Sequence, residues 1–365
     1  MAELIVRTDE ILGNIKKLND LHEKHGIQWT LITKVVSGNK KILNKLLKDP
    51  EIKRTHSIGD SRLSNLKAIK EISPDIVTMY IKPTPIRYAP NVVKYADISL
   101  NTSFAAIKAL NDEAKKLDKI HRIIIMIELG ELREGVLREN IIEFYQKVFD
   151  LPNIEINGIG TNLGCMYGVE PTYDKLIQLS LYKELLESTF DKKLELISGG
   201  SSITLPLIEQ GKIPESVNHF RNGEAVFLGL TPLTTERFDD LSTDAFTYRS
   251  SIIELEDKKY IPEGQLSEGN VGHAGDNTEY HPTDTSYKAI LDFGILDVDT
   301  EEIIPLDKDV HFIGTTSDLT VYDLGENKKK NGDTKYKVGD RLEFTPSYMG
   351  VARLMNSKFV EKKLL

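Results

Sequence analysis

Through the first two-thirds of the chain, short apolar runs alternate with segments whose apolar residues recur at helical spacing. The first predicted helix spans about Thr8 to Lys24, where Ile11, Leu12, Ile15, Leu18 and Leu21 share one face. The strand candidates are WTLITKVV (Trp29–Val36), RTHSIGD, PDIVTMYIKP, ADISLN (Ala96–Asn101), HRIIIMIELG (His121–Gly130), IEINGIGTNLG, KLELISGG and FRNGEAVFLG. Helical stretches such as TSFAAIKALNDEAKKL and PTYDKLIQLSLYKELLESTF separate most of them. Strands alternating with helices in this way imply parallel βαβ units, and eight such units fit a closed (β/α)8 TIM-type barrel. A doubly wound open sheet answers to the same alternation, and periodicity alone does not separate the two.

The pattern changes at the polar stretch TTERFDDLSTD (Thr234–Asp244). Beyond it, SSIIELE, YKAILDFGI, DVHFIGTTSDLTVYDL and RLEFTPSYMGVARL read as strands separated by Gly, Pro and Asp turns. The expected organisation is a barrel over residues 1–234 followed by a C-terminal all-β domain over 235–365, with the first few residues as candidates to pair with the second domain.

Composition narrows the class. The 365 residues are 40% hydrophobic and 28% charged, which is ordinary for a globular chain and excludes a disordered or fibrous one. A net charge of −9 argues against broad nucleic-acid binding. The single cysteine, Cys165, permits no internal disulfide and no CxxC motif. No apolar run is long enough to span a bilayer, and the N-terminus is not a secretory signal, so the expected location is the cytoplasm.

In a parallel barrel the chemistry collects where the strands end. The first strand ends at Lys34, and the second gives Gly59, Asp60 and Arg62. The fifth gives Glu128, Gly130 and Arg133, and the sixth Thr161 and Asn162. The seventh opens into SGGSS (Ser198–Ser202) and the eighth into Arg221-Asn222-Gly223. Gly-rich turns that open helices offer free N–H groups and hydroxyls to a phosphate, and barrels commonly hold a phosphate after strands 7 and 8. Two readings of Lys34 stand side by side: a Schiff-base amine in an apolar setting, or a lysine extended to solvent.

Lys34, Arg133, Asn162, SGGSS and RNGEAVFLG, in this order, resemble the alanine-racemase-like fold-type III enzymes that use pyridoxal 5′-phosphate, and within them the ornithine racemase branch. The TKV strand, the DSR turn (Asp60-Ser61-Arg62), the LREG turn (Leu132–Gly135), IGTTSDLTVYDL (Ile313–Leu324) and YKVGDRLEF (Tyr336–Phe344) extend the likeness over almost the whole chain. The resemblance implies a racemase that moves a Cα proton between two bases. Lys34 would be the cofactor lysine and one base. Arg221 would face the pyridine nitrogen. Ser201 and Ser202, with the backbone of Gly223 and Glu224, would hold the phosphate. Asn162 falls where these enzymes place a residue beside the ring, and Tyr348 resembles a C-terminal tyrosine at the phosphate. Arg133, Ser317 and Asp318 resemble the residues that receive the substrate carboxylate, the last two reaching over from a partner subunit of a homodimer. No metal, nucleic-acid or membrane partner is implied.

Two positions depart from the pattern. The family carries a tyrosine four residues after its lysine, where this chain has Gly38. The second base lies in a V-x-Y-G segment, where this chain reads Val271-Gly272-His273-Ala274-Gly275. An imidazole in general titrates near neutral pH and suits acid–base work, so His273 is a candidate for the role, and a surface-loop histidine is the alternative. Tyr280 and His281 are weaker candidates. Asp60 and Arg62 read as a structural pair, Trp29 as core, and Cys165 as a small residue at the barrel mouth. Similarity to ornithine racemases implies a basic amino acid, for which Glu131, Asp292 and Asp297 are candidate carboxylates. Other reactions of the fold (a decarboxylase or an aldolase), a non-catalytic cofactor carrier, and a barrel for another phosphorylated metabolite are the rival readings. The decarboxylase and metal-dependent aldolase readings lack their cysteine partner, and the carrier reading does not explain the second domain.

Overall fold

The computed structural model describes residues 2–265, 272–274 and 284–365. The chain divides into two compact units, Thr8–Thr243 and the combination of Met1–Arg7 with Asp244–Leu365. The division falls between Thr243 and Asp244, and the strand β1 (Glu3–Val6) belongs to the second unit.

In the first unit, among the described residues, eight parallel strands close into a barrel. They are β2 (Gln28–Ile32), β3 (Ser57–Asp60), β4 (Thr78–Tyr80), β5 (Ile98–Asn101), β6 (His121–Met126), β7 (Ile154–Gly160), β8 (Leu196–Ser201) and β9 (His219–Asn222). Pairing of β2 with β9, Gln28 opposite His219, closes the ring and decides against the open sheet. Inside, Met79, Ile98, Leu100, Ile124, Met126 and Leu196 form one buried cluster. Side chains alternate in facing along a strand, so neighbours on β2 and β9 divide between interior and exterior. Trp29 and Phe220 both pack on His22 of the helix Thr8–Lys24, with ring centroids 5.6 and 5.5 Å away. The Trp29 indole donates to Asn19 at 2.9 Å, as a buried indole N–H must find an acceptor. Thr30 and His219 point the other way and bond each other at 2.9 Å.

Two segments differ from the sequence reading. FRNGEAVFLG is strand only to Asn222; Glu224–Leu228 is helix. The Ser202 hydroxyl accepts the N–H groups of Gly223 and Ala225 at 3.2 Å each, which starts a helix where the apolar run alone read as strand. Likewise RLEFTPSYMGVARL is strand only to Pro346 and helix over Tyr348–Asn356, because Ser347 caps the N–H of Gly350 at 3.1 Å. Val351, Leu354 and Met355 then supply the buried face.

Among the described residues, the second unit is a nine-stranded sheet: β1, β10 (Phe246–Lys259), β11 (His273–Ala274), β12 (Thr285–Leu291), β13 (Ile303–Pro305), β14 (His311–Thr315), β15 (Thr320–Asp323), β16 (Arg341–Pro346) and β17 (Glu361–Leu364). β1 pairs antiparallel with β10 and parallel with β17. Its core is aromatic: Tyr248 meets Phe293 edge-on at 5.3 Å, and Tyr322 meets Phe344 at 5.3 Å. Among the described residues, no helix is long and apolar enough to cross a membrane.

Candidate active site

The site is built where the barrel strands end. β2 stops at Ile32, and Thr33 leaves the extended region with φ −99° and ψ 5°. Lys34–Val36 is a tight 3-10 turn with Lys34 exposed, followed by Ser37 and Gly38 at φ 49° and 68°. This turn is pinned from below. Thr33 donates its N–H to Gly59 at 2.9 Å and its hydroxyl to Asp60 at 3.2 Å. Asp60 also accepts from the Arg62 N–H at 2.9 Å and from Asn65 at 3.1 Å. A Cβ on Gly38 would stand 2.5 Å from the Asn65 carbonyl oxygen, so the turn closes only on glycine. The Gly38 that departs from the family pattern thus seats the side chain that anchors Asp60. Burial pushes the Asp60 carboxyl up to about 6, against the pull of its hydrogen bonds.

Arg221 enters the mouth from β9 and is buried. It donates from Nη1 to the Ser198 carbonyl at 3.0 Å and to the Ser198 hydroxyl, and from Nη2 to the Thr161 carbonyl at 2.7 Å and the Asn162 side chain at 2.8 Å. Four acceptors on two neighbouring strand ends fix its plane. Burial lowers its pKa to about 10, so it remains a cation at neutral pH.

SGGSS closes β8. Ser201 and Thr204 form a reciprocal cap, and Ser202 spends both lone pairs on Gly223 and Ala225. The Gly223 N–H is therefore held by Ser202, and the Ser202 hydroxyl keeps its own proton to donate. Gly200 is required by packing: a Cβ there would lie 2.4 Å from the Phe220 ring. Glu224, half-buried at the start of the short helix, has its carboxyl raised by burial, and the charge of Lys34 opposes the rise, which puts the two groups in one electrostatic neighbourhood.

The loop after β6 carries acids whose roles the sequence did not disclose. Glu134 accepts from the Arg133 guanidinium through two contacts and from the Asn162 amide nitrogen. A continuous chain, Arg133–Glu134–Asn162–Arg221, thus joins the two arginines. Glu131 is a loop clamp, with its carboxylate accepting from the backbone of Cys165 at 3.1 Å, Tyr167 at 2.7 Å and Val169 at 3.1 Å. Burial pushes this carboxyl up, the four facing N–H groups outweigh it, and the group sits below the ordinary carboxylate range. Both oxygens are engaged, which removes Glu131 as a ready receiver of a substrate cation. Cys165 is exposed, with its sulfur on the Arg133 guanidinium.

The second unit carries the remaining expected residues. His273 is exposed on β11, opposite Thr315, and lines a cavity of about 400 Å3 with Ile295, Asp299 and Phe312. Ser317 and Asp318 occupy the turn between β14 and β15, where Ser317 donates to the Asp318 carboxylate at 2.9 Å. Gly294 lets this turn approach, since a Cβ there would stand 2.3 Å from the Asp318 nitrogen. Tyr348 opens the last helix, half-buried. Asp297 is tied to Ser357 at 2.8 Å, and Asp292 is exposed. Tyr280 and His281 lie outside the described residues.

A family profile described as alanine racemase, N-terminal domain, matches residues 6–231. The chain belongs to the alanine racemase family. It is 32% identical to an ornithine racemase of Acetoanaerobium sticklandii over 364 residues, covering 100% of this chain and 99% of that one. It is 30% identical to a lysine racemase of Thermotoga maritima over 359 residues, covering 98% and 97%. Among solved structures, an alanine racemase of Clostridium difficile 630 superposes with a TM-score of 0.70 at 16% identity, covering 100% of this chain and 95% of that one. An alanine racemase of Bartonella henselae with covalently bound pyridoxal phosphate gives 0.73 at 14%, covering 100% and 99%. The barrel with its β domain, the racemase class and the pyridoxal phosphate cofactor expected from the sequence are those of this family.

Proposed function

We propose that this protein interconverts the two enantiomers of a basic α-amino acid, with Lys34 as cofactor lysine and as one of two proton-transferring bases. The observation that carries the reading is Arg221: a buried, four-fold anchored guanidinium at the barrel mouth, flanked by the Lys34 turn and the SGGSS turn. This donor set suits an anionic, phosphorylated aromatic aldehyde. A primary amine can attach it, serine hydroxyls can donate to its phosphate, and a fixed cation can face its ring nitrogen. Pyridoxal phosphate, when bound, withdraws electrons and acidifies the substrate Cα–H.

Arg221 stays protonated, so it would face the ring nitrogen of a bound cofactor as a donor that keeps its proton, which would restrain side reactions that need a fully charged ring. Ser201 and Ser202 would hold the phosphate by their hydroxyls, with the backbone N–H of Glu224 and Tyr348 as further donors, while the Gly223 N–H, expected at the phosphate, is taken by Ser202. Asn162, held by its bond to Arg221, would stand beside the ring. Arg133, steadied by Glu134, and the Ser317–Asp318 turn receive the substrate carboxylate. Lys34 takes or returns the α-proton on one face, and His273 serves the other, because inversion needs a base on each side. Ser317, Asp318 and His273 are assigned to a partner subunit, which makes the working enzyme a homodimer. The exposure of Leu132, Met166 and Tyr167 on the loops at the barrel mouth supports a covering partner. The names of the two relatives aligned over the whole length support ornithine or lysine as substrate, and the same reading keeps the enzyme in the cytoplasm.

The deciding experiment records the visible spectrum of the purified protein before and after L-ornithine and L-lysine, with Lys34→Ala beside it, followed by chiral analysis. The expected result is a cofactor band that responds to substrate, loss of covalent attachment in the variant, and D-enantiomer formed from L. A Lys34→Ala protein that still holds the cofactor covalently would overturn the lysine assignment. Unchanged enantiomers, or turnover of alanine alone, would overturn the substrate class.

A further inference from the structure

His219 and Arg221 are two residues apart on β9, so both side chains enter the barrel interior, one below the other. A hydrogen-bonded series runs down from the guanidinium. Arg221 touches the Ser198 hydroxyl; Ser198 Oγ lies 2.7 Å from His219 Nδ1; His219 Nε2 lies 2.9 Å from Thr30 Oγ1; Thr30 lies 2.7 Å from Ser57 Oγ; and Ser57 lies 3.1 Å from His56 Nδ1. Each of Ser198, His219, Thr30 and Ser57 is buried.

The direction of the first bond is fixed, and the next ones follow from the acceptors in reach. An arginine has donors and no acceptor, so Ser198 Oγ must accept from Arg221. The oxygen keeps a second lone pair, but among the described residues His219 Nδ1 is the one acceptor in reach of the buried Ser198 proton, and a buried hydroxyl proton left without an acceptor is costly; the proton therefore goes to His219, whose Nδ1 is bare. A neutral imidazole with a bare Nδ1 carries its hydrogen on Nε2, which donates to Thr30. Thr30 can donate its own proton to Ser57 at 2.7 Å or to the Met79 sulfur at 3.8 Å, and the series ends at His56. Neutrality of His219 follows from complete burial, which holds its pKa well below the ordinary histidine value; His56, Arg221 and His22 act in the same direction.

We propose that His219 is a positioning residue for Arg221: its Nε2–H tautomer turns the Ser198 hydroxyl into an acceptor that faces the guanidinium and so holds the arginine in the orientation it presents to the barrel mouth. The assignment rests on the proposed role of Arg221 toward the cofactor ring. A donor at Nδ1 would take the second lone pair of the Ser198 oxygen and leave the buried hydroxyl proton without its acceptor, so the hydroxyl would no longer be held in the orientation that faces the guanidinium.

Histidine 15N NMR on the full-length protein reads the tautomer without reference to catalysis. His219 is expected in the Nε2–H form throughout the stable pH range, with Ser198→Ala shifting its Nδ1 resonance. A second arm compares His219→Asn, whose carbonyl can stand where Nδ1 accepts, with His219→Leu, which has no acceptor. His219→Leu is expected to lose about tenfold or more in kcat, as removing a bond to a charged group implies. KM should change little, and the absorption band of the bound cofactor should move. His219→Asn is expected to restore band and rate in large part. An Nδ1–H tautomer overturns the proposal, as does equal impairment of both variants or a Leu variant with unchanged kcat and spectrum. If His219→Leu does not fold, Ser198→Ala supplies the same comparison. If the protein binds no pyridoxal phosphate at all, the NMR arm still decides the tautomer, so failure of the racemase reading and failure of this one are distinguishable.

Discussion

The amide oxygen of Asn162 accepts a hydrogen bond from Arg221 at 2.8 Å. Its amide nitrogen donates to Glu134, which in turn holds Arg133. An asparagine suits this place because it presents an acceptor to a cation and a donor to a carboxylate at once. Removing it with Asn162→Ala should cost about 1.5–3 kcal/mol of interaction with the charged partners, or roughly 10- to 100-fold in kcat/KM. Asn162→Asp should be worse, because its second oxygen would face Glu134. Pairing Asn162→Asp with Glu134→Gln should recover part of the loss. Steady-state kinetics on the three variants checks the order; an Asp variant as active as the parent would break the bridge argument.

Gly38 and Asn65 make the second test. Gly38→Ala adds a methyl at φ 68°, within 2.5 Å of the Asn65 carbonyl oxygen. Backbone strain and the displaced Asn65 should together cost about 1–3 kcal/mol of stability. Loosening of the Lys34 turn should slow turnover as well. Thermal melts and kcat, measured together, check both. A variant with a lower Tm but unaltered kcat would mean that the Asn65–Asp60–Thr33 brace holds the fold and not the lysine.

The barrel was legible because each strand ends in a polar turn and each helix repeats at its own spacing, from Ile11 and Ile15 onward. The β domain was legible from the loss of that spacing after Thr234. The two mistaken strand ends, at Asn222 and Pro346, share one cause. In each a serine hydroxyl, Ser202 or Ser347, turns an apolar run into a helix, and only for Ser347 does the cap lie next to the run in sequence. Lys34, Arg133, Asn162, Ser201, Ser202 and Arg221 could be put forward as candidates from strand-end position and resemblance. Glu134 and His219 could not, because their partners lie 28 and 21 residues away and meet only when the barrel closes. Glu131 misled for the opposite reason. As an acid in a mouth loop it read as a receiver of substrate charge, and three backbone N–H groups from residues 165–169 already occupy it.

Glu131 therefore supports a third prediction. Glu131→Ala leaves the N–H groups of Cys165, Tyr167 and Val169 without their acceptor, so the loop over the mouth should open more often. Hydrogen exchange of these amides should accelerate by about tenfold or more if each loses a charge-assisted bond. KM for the amino acid should rise more than kcat falls, since the loop borders the site and carries no proposed base. Unchanged exchange at residues 165–169 would show that the loop is held by something other than this carboxylate.

Stability should vary with pH through buried groups of opposite sense. Burial lowers His22 to about 4 and His121 to about 3, and holds His219 well below its ordinary value. In the unfolded chain each titrates near 6.5. As pH falls from about 6.5 to about 4, the unfolded state takes up three protons that the folded state refuses, so stability is lost on acidification. Asp60 runs the other way: its folded pKa of about 6 lies above the ordinary aspartate value, so between about 4 and 6 the folded state keeps a proton that the unfolded state has released. Each of these four groups contributes about 1.4 kcal/mol per pH unit, and three against one leaves from them a net fall of about 3 kcal/mol per unit on acidification; His56, lowered by burial, and Glu224, raised by burial, add contributions of opposite sense to each other. Urea denaturation at pH 7, 6 and 5 measures the slope. Replacing His121 by Gln, which can keep a partner for Ser99, should make the slope shallower by one proton. Asp60→Asn should make it steeper by one. If the two substitutions move the slope in the same direction, the sign assigned to one of these buried groups is wrong, and the variant whose slope departs from its expected change identifies which.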